Sequence, residues 1–329
     1  MKYKGSLLLT FCCLIILLQS CFTDKNMNVD VNNAHKKNIA FISKTNYGYH
    51  WATVKQGANV AAREFNVDID FMAPDVEEDA DEQINLVNNA IDNKDKVVDA
   101  IVLAASDYNK LVGVIEKAYQ RNIPVIIIDS QVNTNKISSN IITDNFEAGK
   151  SMGNVLLDIC GKTANIVIMS FVKGSINAKQ REEGLNSVIL KYPGIKIVSK
   201  EYCYSDTNLA YNIIKNILLK NNNIDAVIAL NDIASEGVAL AIDELNLEGK
   251  VKVIAFGSTT QELNYLEKSV INAIVIENPF SIGYLGVKFA VDAIENKKIP
   301  NKYLIETKVI DKNNMYLPEN QRMLFPFVW

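Results

Sequence analysis

From Asn38 onward, short β-branched runs alternate with longer amphipathic segments, and this order constrains the fold more than any other property of the chain. A strand, a helix and a second strand in succession pair in parallel, because the helix returns the chain to the end from which the first strand set out. The strands read as Ile39 to Ser43, Val67 to Met72, Ala100 to Ala104, Pro124 to Asp129 and Asn140 to Thr143. They continue as Asn165 to Ser170, Lys196 to Cys203, Ala226 to Leu230, Val251 to Phe256 and Ala273 to Glu277, with a last one at Leu304 to Ile310. Between them, Gln83, Leu86, Val87, Ala90 and Ile91 share one helical face, as do Leu209, Ile213, Ile217 and Leu218. Strands such as Val125-Ile126-Ile127-Ile128 are apolar without alternation, which predicts helices on both faces of a parallel α/β sheet.

Ligands of such sheets bind beyond the carboxyl ends of the strands. The residues there are polar: Lys44 to Trp51, Ser106-Asp107, Asp129-Ser130-Gln131, Asp144-Asn145, Lys173 to Arg181, Tyr204-Ser205-Asp206, Asn231-Asp232, Gly257-Ser258-Thr259 and Glu277-Asn278. Each is equally readable as a helix cap, since Asp, Asn and Ser are favoured at N-caps, and Asp206 and Asp232 suit that role in particular.

The first twenty-one residues follow a different pattern. Lys2 and Lys4 precede an apolar run from Leu7 to Leu18, shorter than the ~20 residues of a spanning helix, which predicts a cleaved export signal. The ending Leu18-Gln19-Ser20-Cys21 resembles a bacterial lipobox, and the resemblance implies cleavage before Cys21 and a diacylglycerol on its thiol. Residues 22–37 then read as a polar tether.

The 329 residues suffice for two core-bearing domains or one large α/β unit. Without Lys2 and Lys4, 32 basic residues face 38 acidic ones, a balance of about −6 that gives no support to nucleic-acid binding. His35 and His50 are the only histidines and no Cys/His cluster is closely spaced, so no zinc site is expected; no loop has the Asp-x-Asp-x-Asp-Gly spacing of a calcium site. Cys160 and Cys203 fit either a disulfide or two buried thiols. Only Gly48 lies in the loop after the first strand, and no Gly-x-Ser-x-Gly elbow occurs, so neither a nucleotide-dependent enzyme nor a serine hydrolase is indicated.

Five pieces, in order and each at a strand end or helix start, carry a family resemblance. They are Ile127-Ile128-Asp129-Ser130, Thr143-Asp144-Asn145 with Gly149, Arg181-Glu182-Glu183-Gly184, Leu230-Asn231-Asp232, and Glu277-Asn278-Pro279 leading into Gly283-Tyr284-Leu285-Gly286. From about Asn38 to the C-terminus the chain resembles the periplasmic sugar-binding proteins of ABC importers, of the ribose/galactose type. The resemblance implies two doubly wound parallel-sheet lobes joined by three hinge strands and closing on a ligand. It places the N-terminal lobe at 38–143 plus 279–303 and the C-terminal lobe at 144–278 plus 304–329. The crossings fall near Thr143 to Phe146, Glu277 to Pro279 and Lys302 to Leu304.

The same resemblance implies the ligand positions. His50 and Trp51, with Tyr47 and Tyr49 nearby, take the place of aromatics that stack on a sugar ring. Asp129 takes that of an aspartate accepting from vicinal hydroxyls, Arg181 that of an arginine donating in a fixed fork, and Asn231 that of an asparagine doing both. A cap for Asp129 and an ion pair with Glu182 or Glu183 for Arg181 are the competing readings. Four positions depart from the ribose pattern: Ser130 replaces an arginine, Gly257 an aspartate, Asp206 an aromatic and Glu277 a glutamine. Asp129, Asp206 and Glu277 then stand against Arg181, with Lys44 offsetting one of them, so the ligand is expected to be a neutral sugar or polyol, or one carrying an amino group.

The function implied is a monomeric solute-binding lipoprotein that uses no cofactor and catalyses nothing. It would pass a sugar to a membrane permease with its ATPase, held by the lipid on Cys21 on the extracytoplasmic side, in the periplasm or on the outer face. A sensor that presents a sugar or quorum signal to a chemoreceptor or kinase would look the same in sequence.

Overall fold

The computed structural model describes residues 36–325, so the export signal, Cys21 and most of the tether lie outside the described residues. Along the first strand β1 (Asn38–Ile42), Ile39 and Phe41 point into one core while Ala40 and Ile42 point into another, which is why the run is apolar throughout. Its sheet contains β2 (Asp68–Met72), β3 (Ala100–Leu103), β4 (Val125–Asp129), β5 (Ser139–Thr143) and β11 (Lys302–Ile305), in the order β11-β5-β4-β3-β1-β2 and parallel throughout.

The second sheet runs β12-β10-β9-β8-β6-β7, built from β6 (Thr163–Ser170), β7 (Gly194–Tyr202), β8 (Ala226–Ala229), β9 (Lys252–Phe256), β10 (Ala273–Ile276) and β12 (Lys308–Asp311). Only β12 is antiparallel, against β10. The chain passes from the first sheet to the second after Thr143, returns after Ile276, and passes again between Ile305 and Lys308. The single last strand expected at Leu304 to Ile310 is therefore two strands in different sheets, split at Glu306-Thr307, and the third passage falls beyond the expected Lys302 to Leu304.

The helices α1 (Tyr49–Glu64), α2 (Ala80–Asp92), α3 (Val112–Gln120), α4 (Asn145–Cys160) and α5 (Ile176–Ile189) are followed by α6 (Thr207–Lys220), α7 (Asp232–Glu244), α8 (Thr260–Glu267), α9 (Pro279–Ile294) and α10 (Pro318–Leu324). One face of the first sheet lies under α1 and α9, which contribute Val54, Ala58, Ile282 and Val287, and the other under α2 and α3, which contribute Val87, Ile91 and Ile115. The architecture is α/β and doubly wound, as the alternation requires. The α6 face differs from expectation: Ala210, Ile214 and Leu218 are buried, whereas Leu209 is exposed, so the buried stripe begins one residue later.

Glycines bring several of the described helix pairs to backbone contact. A Cβ at Gly57 would overlap the Phe280 carbonyl and one at Gly283 the Val54 carbonyl, which locks α1 onto α9. The pair α4 and α5 repeats this arrangement, with Gly149 against the Arg181 carbonyl and Gly184 against the Phe146 carbonyl. Cys160 and Cys203, the cysteines among the described residues, are free thiols, and burial pushes that of Cys203 up to about 11. Among the described residues no helix is long and apolar enough to cross a membrane.

Candidate functional site

The carboxyl ends of the two sheets face a common cavity, with about 80 Å³ open to the centres of water-sized molecules. One buried water needs roughly 10–15 Å³ by that measure, so the space is of small-molecule size. Its wall includes Lys44, Tyr47, His50, Trp51, Glu77 and Asp129 from the first half and Asn177, Arg181, Asn231, Asp232, Gly257 and Glu277 from the second.

Asp129 is the last residue of β4 and adopts φ 62°, a left-handed conformation that Asp tolerates better than most residues. It caps nothing. Lys44 Nζ lies 2.7 Å from its Oδ2, the Ser130 hydroxyl donates to the same oxygen at 3.0 Å, and Asn177 Nδ2 donates to it from the opposite half at 3.2 Å. Burial works to raise the Asp129 carboxyl, but the charge of Lys44 and the nearby His50 outweigh it and hold the group well below the ordinary range. Ser130 supports Asp129 from behind and does not line the cavity.

His50 opens α1 between two acids, with Nε2 3.5 Å from Asp129 Oδ1 and Nδ1 3.4 Å from Glu277 Oε1. Burial alone would lower its pKa; the two carboxylates overcome this and hold it at about 10. For Glu277 burial acts upward, and His50 and Arg181 outweigh it and lower the carboxyl; its other oxygen accepts from the Thr143 hydroxyl across the chain passage. His50, Asp129 and Glu277 each offer a ligand atom within 4.8 Å of the others, the spacing of a metal site. The same spacing suits an ion network, in which Lys44 sits on the other Asp129 oxygen and His50 lies between the two carboxylates.

Arg181 does not pair with Glu182 or Glu183. Its Nε donates to Asn145 Oδ1 at 2.7 Å and one terminal nitrogen donates to the Leu230 carbonyl at 2.6 Å. The guanidinium lies 3.4 Å from the centre of the Phe256 ring and 5.6 Å from that of Phe171. Glu182 bonds Ser170 and Lys200. Gly149 and Asn145 on α4 thus hold Arg181, one through its backbone and one through its side chain.

Trp51 lines the cavity edge-on to His50, with ring centroids 4.8 Å apart, and also packs against the first core. Asn231 is the N-cap of α7, its Oδ1 accepting from Ala234 N, while Asp232 beside it accepts only from its neighbour Ile233 N and faces the cavity. The expectation that Asp232 is the cap is thus reversed. Asp206 does cap α6, through Leu209 N, and lies outside this cavity. Gly257, at φ 150°, has no room for a side chain: a Cβ would run into the Glu262 carboxyl and stand 2.8 Å from Asp232 Cβ.

Asn177 and Ser205 come from strand-end loops picked out in the sequence, whereas Glu77 and the two phenylalanines are cavity residues not singled out there. Glu77 accepts from the Ser205 hydroxyl at 2.8 Å, another direct bond between the halves, and burial raises its pKa. It lies in the loop after β2, so the strand-end rule that flagged the other loops reaches it as well. Phe171 and Phe256 carry no such signal, because in sequence they continue apolar strands.

A polar cavity walled from both sides by two doubly wound sheets defines a small-molecule binding protein of two α/β halves. The chain belongs to the periplasmic binding protein family, which it matches over residues 39–298 under the description "Periplasmic binding protein domain". It is 27% identical over 281 residues to the D-allose-binding periplasmic protein of Escherichia coli, covering 83% of this chain and 89% of that protein. It is 24% identical to the ribose import binding protein of the same organism, covering 86% and 94%. A carbohydrate transporter solute binding protein from Agrobacterium radiobacter, solved in complex with D-arabinose, superposes with TM-score 0.83 and 27% identity, covering 88% of this chain and 99% of that one. These relatives are sugar-binding components of transporters and not enzymes, and the family works on the extracytoplasmic side.

Proposed function

We propose that this chain is the sugar-binding lipoprotein of an ABC importer. Its lobes are residues 38–143 with 279–305 and residues 144–278 with 308–325, and they close on a sugar or polyol by bending at the three passages. The observation that carries this reading is the pairing, in one cavity, of a buried guanidinium and a buried carboxylate from opposite halves, with Trp51 beside them. Vicinal hydroxyls both donate and accept, so Asp129 and Arg181 together match them, and the tryptophan ring offers a face to the sugar's C–H groups. The similarity to proteins that hold allose, ribose and arabinose supports the same class of ligand.

In this reading Lys44, His50, Trp51, Asp129, Arg181, Asn231 and Glu277 contact the ligand, Gly257 contributes backbone only, Ser130 steadies Asp129, and Asp206 is left to its helix cap. The protein acts as a monomer that delivers to a permease and its ATPase, and the lipid on Cys21 keeps it at the membrane.

A thermal-shift panel of pentoses, hexoses, polyols and amino sugars tests the ligand class. A sugar at a hundred times its dissociation constant adds about 2.7 kcal/mol, which raises the midpoint by a few degrees. Absence of any shift across the panel counts against the sugar reading. Deleting the gene separates import from sensing: loss of uptake supports the importer, and intact uptake with a lost response to the sugar supports the sensor. Membrane release of a Cys21→Ala protein is the expected sign of the anchor.

A further inference from the structure

A second, more open cavity of about 540 Å³ adjoins the first, sharing Tyr47, Gly48, Tyr49, Ser205, Asp232 and Ile233 with it. Its other walls include Tyr204, Asp206 and Glu236, and no lysine, arginine or histidine lines it. Asp232 and Glu236 stand one turn apart on α7, both half-buried and both lining this second cavity. Directly behind them Glu262 is fully buried, and its Oε1 has no hydrogen-bond partner although the carboxyl abuts Gly257 where the wall of the first cavity reaches Asp232. Among the described residues none of these three carboxyls has an ion-pair partner; burial holds all three above the ordinary carboxylate range, and each repels a neighbour in the group. His50 and Arg181 act on Asp232 from a distance and are already engaged, the one by Asp129 and Glu277, the other by Asn145 and the Leu230 carbonyl.

Positive charge is what this corner lacks. A hydroxyl would satisfy one oxygen and leave the charge uncompensated, whereas an ammonium brings three donors together with the charge, and tyrosine rings are suitable neighbours for a cation. We propose that the ligand is an amino-bearing sugar whose ring occupies the first cavity and whose ammonium extends into the second, between Asp232 and Glu236. This rests on the sugar reading of the first cavity.

Calorimetry of the intact protein at neutral pH, with glucose against glucosamine, galactose against galactosamine and mannose against mannosamine, provides the test. The expected result is at least one amino sugar bound tenfold or more tighter than its hydroxyl parent. In Glu236→Gln, which keeps an oxygen for the Thr259 hydroxyl 2.5 Å away and lies outside the first cavity, that preference falls below threefold while the parent sugar binds as before. Parent sugars binding as tightly as their amino partners, or a preference that survives Glu236→Gln, overturns the inference and leaves the sugar reading standing. Binding by neither member of any pair overturns both.

Discussion

The ammonium of Lys44 lies 2.7 Å from Asp129 Oδ2, and both side chains are less than a tenth exposed. Each is the other's main compensation for leaving water. Removing one partner of such a pair leaves an uncompensated buried charge, at about 3–5 kcal/mol. Asp129→Asn is therefore expected to lower the unfolding free energy by an amount of that order in urea titrations. Adding Lys44→Met should recover more than half of the loss, and neither variant should show a ligand-induced shift. A loss below about 1 kcal/mol in the single variant would mean that the pair is better solvated than its geometry implies.

Arg181→Lys keeps the charge and removes the fork and the flat face. The ammonium cannot reach Asn145 and the Leu230 carbonyl together while lying over Phe256, as the guanidinium does. Loss of one hydrogen bond from a charged donor corresponds to about 1.5–3 kcal/mol, so sugar affinity should fall tenfold or more. Wild-type affinity in the lysine variant would show that charge alone suffices.

His50 should keep its proton through neutral pH. Its folded value of about 10 lies above the ordinary 6.5, so the stability it contributes is fully present below about 6.5, declines as pH rises, and is gone above about 10. In an His35→Asn background the ring carbon resonances report His50 alone, and their midpoint should lie above 9. Stability curves of wild type and His50→Gln should converge as pH rises through the same window. A midpoint near 6.5 would mean that the two carboxylates do not hold the ring.

Two glycine substitutions should act in opposite directions. A methyl group at Gly149 overlaps the Arg181 carbonyl, so Gly149→Ala must push α5 away and move Arg181 with it. Overpacking of this kind costs about 1–3 kcal/mol, and ligand affinity should fall alongside stability. Gly113, in α3, has open space around it, so Gly113→Ala should raise stability by up to about 1 kcal/mol and leave binding unchanged. Differential scanning calorimetry with and without sugar resolves both effects.

Much of this was legible in the sequence because strand-end position is a topological property. Asp129, Arg181, Trp51 and Glu277 could be placed at the cavity from the order of strands and helices together with the family resemblance. What those signals lack is side-chain direction within a loop. Asn231 and Asp232 are adjacent and both suit a cap, and only the backbone at the start of α7 decides that the first turns inward to Ala234 N while the second faces the cavity. Glu77 sits among Asp75, Glu78 and Asp79 and reads as part of a solvated acidic loop; its burial depends on Ser205, 128 residues away. The last strand was misread for a similar reason, since Leu304 to Ile310 is one apolar-rich run until Glu306 and Thr307 carry it between sheets.

The passage of the chain between sheets also fixes when each half can finish folding. Ile282, Val287 and Phe289 are buried in the first sheet's core, and β11 closes its edge, yet all of them follow nearly the whole second sheet in sequence. When residue 143 leaves the ribosome, the segments of β1 to β5 are complete, but one face of their sheet has only α1 and still lacks α9. Domains that are continuous in sequence can fold one after another during synthesis; here the earlier half must wait for the later one. The nascent chain remains incompletely folded until its last fifty or so residues emerge, which keeps it in a state that an export channel can thread.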